Sequence, residues 1–453
     1  MKKIAFLLVI LFSGFNGFSQ FEISAELRPR AEFRRGYSQL PGQDAKFAAF
    51  VSQRTRLNFF YTHEKFKIGV SLQDVRVWGD EQSFSSTGVF GDNASIDLNE
   101  GWIELKAHKN GALRFGRQYL AYEDERLMAL RNWNQSSITY DALLYKWSPQ
   151  SWDIHLAFSF NANKENVFGD DYNLYSDVYY FDTLTQTIVT KKITLSSRIK
   201  SQNFIYVKKQ FNDSFHISLI TMATGMQNPV STVTVYLKGT YGLFGQYKIR
   251  RLFIRGSAYF QNGKNISGKS VSAYMFNAKG ELKLDPFTVN AGLDYISGHN
   301  ASDESQDYQD RDHFFDIFYG ARHKYYGFMD YFNNMRVATS NGGLADLFAG
   351  VSYNLKPNIK FNLDYHYFSL QNFVFDPTTA DNNKIALDKA LGTEIDFTFD
   401  IKILPEVGLK GGYSAMLPTE TMEKLQKVEA GTSGFAYWGW LMVTAKPTLL
   451  LNK

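Results

Sequence analysis

The chain has 453 residues, with 49 Lys and Arg against 45 Asp and Glu, 16% aromatic residues, ten Pro and no Cys. The lack of Cys excludes a disulfide framework, a thiolate zinc site, a cysteine nucleophile and a lipidated N-terminal Cys. The near-balanced charge gives no bulk electrostatic case for nucleic acid, and the aromatic content excludes a disordered chain.

Residues 1–20 read MKKIAFLLVILFSGFNGFSQ. Lys2 and Lys3 precede an apolar run from Ile4 to Phe12, and small and polar residues lead to a cut near Ser19 or Gln20. This is the layout of a secretory signal peptide, and the run is too short to cross a bilayer. Without the two lysines the basic residues fall to 47 against 45 acidic. The remainder, 21–453, reads as a single unit with no apolar run long enough for a membrane helix.

From Phe21 onward the dominant period is two. FEISAELR at 21–28 sets Phe21, Ile23, Ala25 and Leu27 against Glu22, Ser24, Glu26 and Arg28. NIKFNLDYHYF at 358–368 and ALGTEIDFTFDIK at 390–402 alternate in the same way. About 18 strands are predicted, near 21–35, 50–63, 65–79, 96–108, 110–119, 137–147, 151–160, 198–210, 213–224, 232–243, 251–262, 272–284, 287–297, 345–355, 358–370, 390–401, 406–415 and 435–446, each about the length that crosses a bilayer at a tilt. Connections after even strands are mostly tight, such as His63-Glu64, Lys109-Asn110, Asp285-Pro286 and Leu404-Pro405. Those after odd strands are mostly long, above all 161–197, 298–344, 371–389 and 416–434. Loop lengths sorted by parity predict an all-β fold, a transmembrane antiparallel β-barrel with short periplasmic turns and long extracellular loops, in the outer membrane of a Gram-negative cell. The apolar rows then face lipid and the polar rows face the lumen.

Enzyme constellations are missing. The sequence contains no G-x-S-x-G, H-E-x-x-H or P-loop pattern, so neither catalysis nor a cofactor is expected. His299, His313 and His323 share one loop without metal-site spacing, and the acidic stretch ASDESQDYQDRDHFFD at 301–316 lacks EF-hand spacing for Ca²⁺. The arginines are more informative. Arg28, Arg30 and Arg34 take the lumenal parity of the first strand, Arg54 and Arg56 that of the second, and Arg255 that of RLFIRGSAYF. A guanidinium presents planar paired donors to carboxylate or phosphate, so such a ladder suits a passing anion. The same residues paired with Glu22, Glu26 and Glu32 would brace the wall, and sequence leaves both roles open. Parity slips in 65–79 and 110–119, where a bulge would exchange the two faces and with them Arg76 and Arg117.

The segment NGALRFGRQYLAYEDERLMALRNW at 110–133 resembles the signature of the alginate export family of outer-membrane barrels. It carries Gly116, Arg117 and Gln118, then Asp124, Glu125, Arg126 and Leu127, then Trp133. Tyr140 and Asp141, LDYISGHN at 293–300, HKYYGFMDYF at 323–332, LGTEIDF at 391–397 and LKGGYSAMLP at 409–418 are similar to further family stretches. The resemblance implies an 18-stranded barrel whose best-known member exports a uronate polysaccharide through a basic pore. It also implies that Arg117, Arg126 and Lys324 stand on the substrate path. Two departures are visible: a lumen of mixed charge, and an end at AKPTLLLNK without a terminal aromatic residue. The expected function is a pore for anionic solutes or an anionic polysaccharide, set among outer-membrane lipid, with periplasmic or surface proteins as further partners. The alternative is a barrel capped by long loops that binds a partner protein or surface glycan. A plugged lumen favours the second, and a continuous Arg-lined channel the first.

Overall fold

A computed structural model describes residues 20–79, 96–162, 165, 167–169, 175–182, 187–194, 199–228, 233–379, 384–429 and 431–452. The predicted signal peptide falls almost wholly outside the described residues. The barrel strands, in chain order, are β1 (Gln20–Arg35), β2 (Ala48–Thr62), β3 (Phe66–Val77), β4 (Ile96–His108), β5 (Gly111–Gln118), β6 (Tyr140–Trp147), β7 (Trp152–Phe158), β8 (Ser201–Asn212) and β9 (Phe215–Gln227). They continue as β10 (Val235–Ile249), β11 (Leu252–Gly263), β12 (Ala273–Leu284), β13 (Phe287–Ile296), β14 (Leu344–Lys356), β15 (Ile359–Leu370), β16 (Ala390–Leu404), β17 (Val407–Pro418) and β18, which runs Ala436–Ala445 and resumes at Thr448–Asn452.

Each strand pairs antiparallel with the next, and the sheet closes on itself because β1 also pairs with β18. Arg30 lies opposite Met442, and Phe21 opposite Asn452. Closure removes the edge strands that lipid would leave unpaired. All eighteen predicted strands are present, and every turn after an even strand is tight. The long connection after β7 holds more than a loop: Tyr175–Asp182 and Thr187–Thr194 form a separate hairpin.

The outward rows are apolar and exposed. Leu27 and Phe33 on β1, Phe287, Val289 and Leu293 on β13, and Leu441 and Val443 on β18 all face away from the lumen. No described helix is long and apolar enough to cross a membrane; the crossing elements are the strands. The pairing of β3 with β4 carries a bulge: Ser71 lies opposite Glu100 but Leu72 opposite Leu98, so Asn99 is an extra residue on β4, and the exposed row of β4 passes from Ile96 and Leu98 to Ile103 and Leu105.

The inner face departs from simple alternation of polar and apolar residues. Tyr140, Leu144, Phe204, Met222, Tyr259, Met275, Ile296, Leu344, Phe368, Leu391, Trp438 and Met442 point inward and are buried. They pack against loop residues Leu127, Met128, Phe315, Ile317, Tyr326, Met329, Phe332 and Met335 in one continuous cluster. Two loops, 119–139 after β5 and 297–343 after β13, therefore fold into the barrel and build a hydrophobic core there.

Candidate solute path through the lumen

Loop 119–139 reaches the β1–β2 wall with its carbonyl groups turned outward, and the arginine ladder meets it. Arg28 donates through Nη1 to Asn132 O (2.6 Å) and through Nη2 to Asn134 O (3.0 Å) and Gln135 Oε1 (2.8 Å). Arg30 Nη1 donates to Trp133 O (2.9 Å), with its guanidinium 4.2 Å from the Trp133 ring centre. Arg54 Nη2 donates to Asn132 Oδ1 (2.9 Å) and to Glu26 Oε1 (2.6 Å). Arg56 Nη2 reaches Ser137 Oγ (2.7 Å) and Gln73 Oε1 (2.9 Å). All four are buried. Buried carbonyls need donors, and a guanidinium supplies five in a fixed fork. The ladder faces the lumen, as parity implies, and what it holds is the protein's own loop. Arg34 lies on the same row and pairs with Glu32 (2.6 Å).

Arg126 stands where the two loops meet the wall. Its Nη1 lies 2.6 Å from Asp294 Oδ1 on β13, and its guanidinium is 3.5 Å from the centre of the Tyr325 ring. Burial works against the Arg126 charge, but Asp294, the tyrosine hydroxyls and Asp124 more than offset it, so its pKa sits well above the ordinary value. Tyr325 donates its hydroxyl to Asp124 O, and Ala321 N donates to Glu125 O (2.9 Å). Lys324 Nζ contacts Glu125 Oε2 (2.8 Å) and Asp124 O (3.2 Å). Glu123, Glu125 and Arg131 take left-handed backbone at φ 54°, 72° and 44°, a conformation that non-glycine residues hold only where their surroundings fix it.

The tip of loop 297–343 is seated on β16. Glu394 Oε1 accepts from Met329 N (2.7 Å), and Asp396 Oδ2 from Phe328 N (3.4 Å). Gly327, at φ 77°, leaves no room for a side chain, since a Cβ would lie 2.6 Å from the Glu394 carboxylate. His366 continues the polar belt around the wall, bonded to Asp346 (2.9 Å).

Below the loops lies a cavity of about 770 Å³ that opens at the periplasmic turn 405–406. Its inner end carries Arg131, Trp133, Arg322, His323 and Lys324, and its walls carry Lys402, Lys410 and Lys446. Most of these charges are matched: Lys410 by Asp400 (2.5 Å), Lys446 by Glu26 (3.6 Å), and Lys324 by Glu125. Arg131 and Arg322 are not. Arg131 donates to Phe318 O (2.7 Å) and Gly320 O (3.0 Å), and Arg322 to Phe318 O (3.3 Å). Neither has a carboxylate within ion-pairing distance among the described residues. Burial, followed by the neighbouring Arg322, pushes Arg131 down to about 10. Burial also lowers Arg322. Trp133 and His323 stack beside them at 4.5 Å and 14°.

The remaining sequence-predicted residues divide. Arg255 faces inward near Tyr325, and its Nε has no partner among the described residues. Lys324 lines the cavity. Arg117 requires a correction. It shares the outward row of Leu113 and Phe115 and pairs with Asp141 (2.8 Å), which lies on the outward row of Leu143. The alternation runs unbroken through β5, with Trp102 opposite Gly116 and Gly101 opposite Arg117, so parity with Leu113 and Phe115 turns Arg117 outward and the lumenal position implied by the resemblance fails. Arg131 and Arg322 were missed by sequence reasoning. Both lie in or beside stretches that carry the family resemblance, but neither belongs to an alternating strand where parity assigns a face. The acidic stretch 301–316 engages its own neighbours, Asp303 with Ser305 and Asp307 with Arg311. Among the described residues no group of His, Asp and Glu is placed to hold a metal ion.

A closed eighteen-stranded barrel with an apolar exterior is the architecture of an outer-membrane β-barrel, and here two loops fold inside it. Residues 20–185 match the model of the family described as alginate export. That match takes in the stretch from Gly116 to Trp133, while the similar stretches at 293–300, 323–332 and 391–418 lie beyond it. No curated protein matches the chain. Solved structures that share the fold include the following three. Pseudomonas aeruginosa OpdQ is 12% identical with a TM-score of 0.56, over 95% of this chain and 98% of that one. Acinetobacter baumannii OccAB2 is 11% identical with a TM-score of 0.58, over 95% and 98%. P. aeruginosa OccD3 (OpdP) is 10% identical with a TM-score of 0.59, over 95% and 92%.

Proposed function

We propose that the barrel is a narrow, solute-selective outer-membrane channel for small anionic solutes, carboxylates foremost. The observation that carries this reading is the Arg131–Arg322 pair. Two neighbouring guanidinium groups stand at the inner end of the cavity, held by carbonyls with no carboxylate in ion-pairing distance among the described residues, while Asp330 and Asp316 act on them only from further away. An anion bound there relieves both the burial and the mutual repulsion of the pair. The cavity volume suits a solute of a few sugar or amino-acid units. The in-folded core argues against passage of a wide polymer, so a polysaccharide is the weaker cargo even with the alginate export match. Arg28, Arg30, Arg54, Arg56 and Arg126 act in this reading by positioning the loops, while Arg255 and Lys324 contribute lumenal charge.

The test is the reversal potential of the mature barrel in a planar bilayer under a KCl gradient. Wild type should prefer Cl⁻, and Arg322→Gln combined with Arg131→Gln should reduce that preference. A cation-selective wild type, or a folded double variant with unchanged selectivity, overturns the proposal. A second reading is favoured by one observation, the continuous apolar core inside the barrel. On that reading the loops cap a binding protein, and a correctly folded barrel carries no current.

A further inference from the structure

The periplasmic mouth carries a second concentration of positive charge, away from Arg131 and Arg322. The turns 63–65, 109–110 and 148–151, with the lower ends of β3 to β6, enclose an open cavity of about 500 Å³. Lys67, Lys106 and Lys146 lie on strands around it, and Lys65 and Lys109 lie on its turns. Its acids are Glu64 and Glu104. Glu104 is already saturated. It accepts Arg114 Nη2 at 2.6 Å and the Lys146 ammonium, and it lies opposite Lys67 in register. Arg114 is fixed further by its guanidinium lying 3.9 Å from the centre of the Trp102 ring.

One buried carboxylate thus anchors two cations, and Glu64 is the one further acid lining the cleft against four lysines. Lys65, Lys67, Lys106 and Lys109 have no ion-pair partner among the described residues. Like charges on adjacent strands repel, and a cleft lined by one sign concentrates the opposite ion. His63 and His108 add polar ring nitrogens to the same wall. The arrangement differs from the vestibule, where each lysine except Lys402 already faces an acid.

We infer that this cleft at the periplasmic mouth is a binding site for a compact multivalent anion, a phosphate-bearing or polycarboxylate solute bridged by Lys67 and Lys106 on the wall and by Lys65 and Lys109 at the rim. Lysine suits this role because a short, strongly hydrated point charge on a flexible stem adapts to anions of different shape. The site rests on no step of the passage proposed above. It holds its ligand whether or not the lumen conducts.

Calorimetric titration of the folded, detergent-solubilised barrel at low ionic strength tests it, with inorganic pyrophosphate as one probe and citrate as the other. Lys67→Gln combined with Lys106→Gln should weaken binding by about tenfold or more for each lost charged contact. Lys402→Gln, in the vestibule, should leave it unchanged. Tighter binding of pyrophosphate identifies a phosphate site, and tighter binding of citrate a polycarboxylate site. Equal affinity of wild type and double variant overturns the inference, as does binding lost only in the Lys402 variant. A barrel that binds pyrophosphate but shows no anion selectivity in the bilayer upholds this site and rejects the channel reading. The converse result rejects this site alone.

Discussion

Replacing Arg126 by Met separates its two possible roles. Asp294 is 1% exposed, and neither of its carboxylate oxygens accepts a hydrogen bond apart from the ion pair with Arg126. Removing the guanidinium leaves that carboxylate buried and unpaired, at a cost of about 3–5 kcal/mol. The Tyr325 ring loses its stacked cation at the same time. Because Arg126 joins loop 119–139 to loop 297–343 and to the wall, the loss falls on the docked state of both loops. Their docked-to-undocked ratio then drops by roughly two to four orders of magnitude. Single-channel recording should show larger or more frequent openings in Arg126→Met, and Arg126→Met with Asp294→Leu should restore the wild-type trace. A folded Arg126→Met barrel with unchanged conductance refutes the bracing role. A fall in anion selectivity at constant conductance would instead place Arg126 on the solute path.

Three further outcomes are expected. Gly327→Ala forces a Cβ against the Glu394 carboxylate at a left-handed position, so docking of the loop tip should weaken by about 1 kcal/mol or more; trypsin should then cleave near Arg322 and Lys324 faster, and an unchanged rate counts against the seat on β16. Arg54→Ala leaves Glu26 buried beside Lys446 alone, so the barrel should lose stability toward the lower end of roughly 3–5 kcal/mol, read from its urea midpoint. The third outcome concerns pH. Burial raises the Asp312 carboxyl, but Arg336, Asn265 and the Phe314 N–H together hold it below its ordinary 3.8. Its contribution is complete above that value and lost as pH falls through the lower folded value, so the hydrogen-exchange protection factors at 311–316, corrected for the intrinsic rate, should be flat from about pH 7 to 5 and fall below about pH 4. Asp312→Asn should abolish that acid limb, and its persistence in the variant would assign it to another group.

The strands were legible because lipid imposes a period of two on every crossing segment, and because short and long connections must alternate when a chain threads back and forth. The row Arg28, Arg30, Arg54 and Arg56 faces inward for the same reason. What those arginines touch was not legible. Arg28 and Arg30 are held by backbone carbonyls 103 to 106 residues away, and a carbonyl has no letter in the sequence, while Arg54 and Arg56 divide their bonds between side chains of the same loop and of the neighbouring strands. The interior core was hidden likewise. Trp438, Trp440 and Met442 form an inner apolar row, and such a row looks the same in sequence as an outer one. Arg117 shows the limit of the family resemblance, since strand parity, unbroken from Leu113 through Phe115, turns it outward.

The apolar core within the lumen has a calorimetric consequence. Any movement that withdraws loop 297–343 from Phe368, Met275 and Leu344 wets surface that is dry in the closed barrel. Wetting apolar surface raises heat capacity, so the free energy of opening must curve with temperature. Open probability in such a barrel would pass through a minimum and rise on both cooling and warming, a signature absent from a rigid water-filled pore.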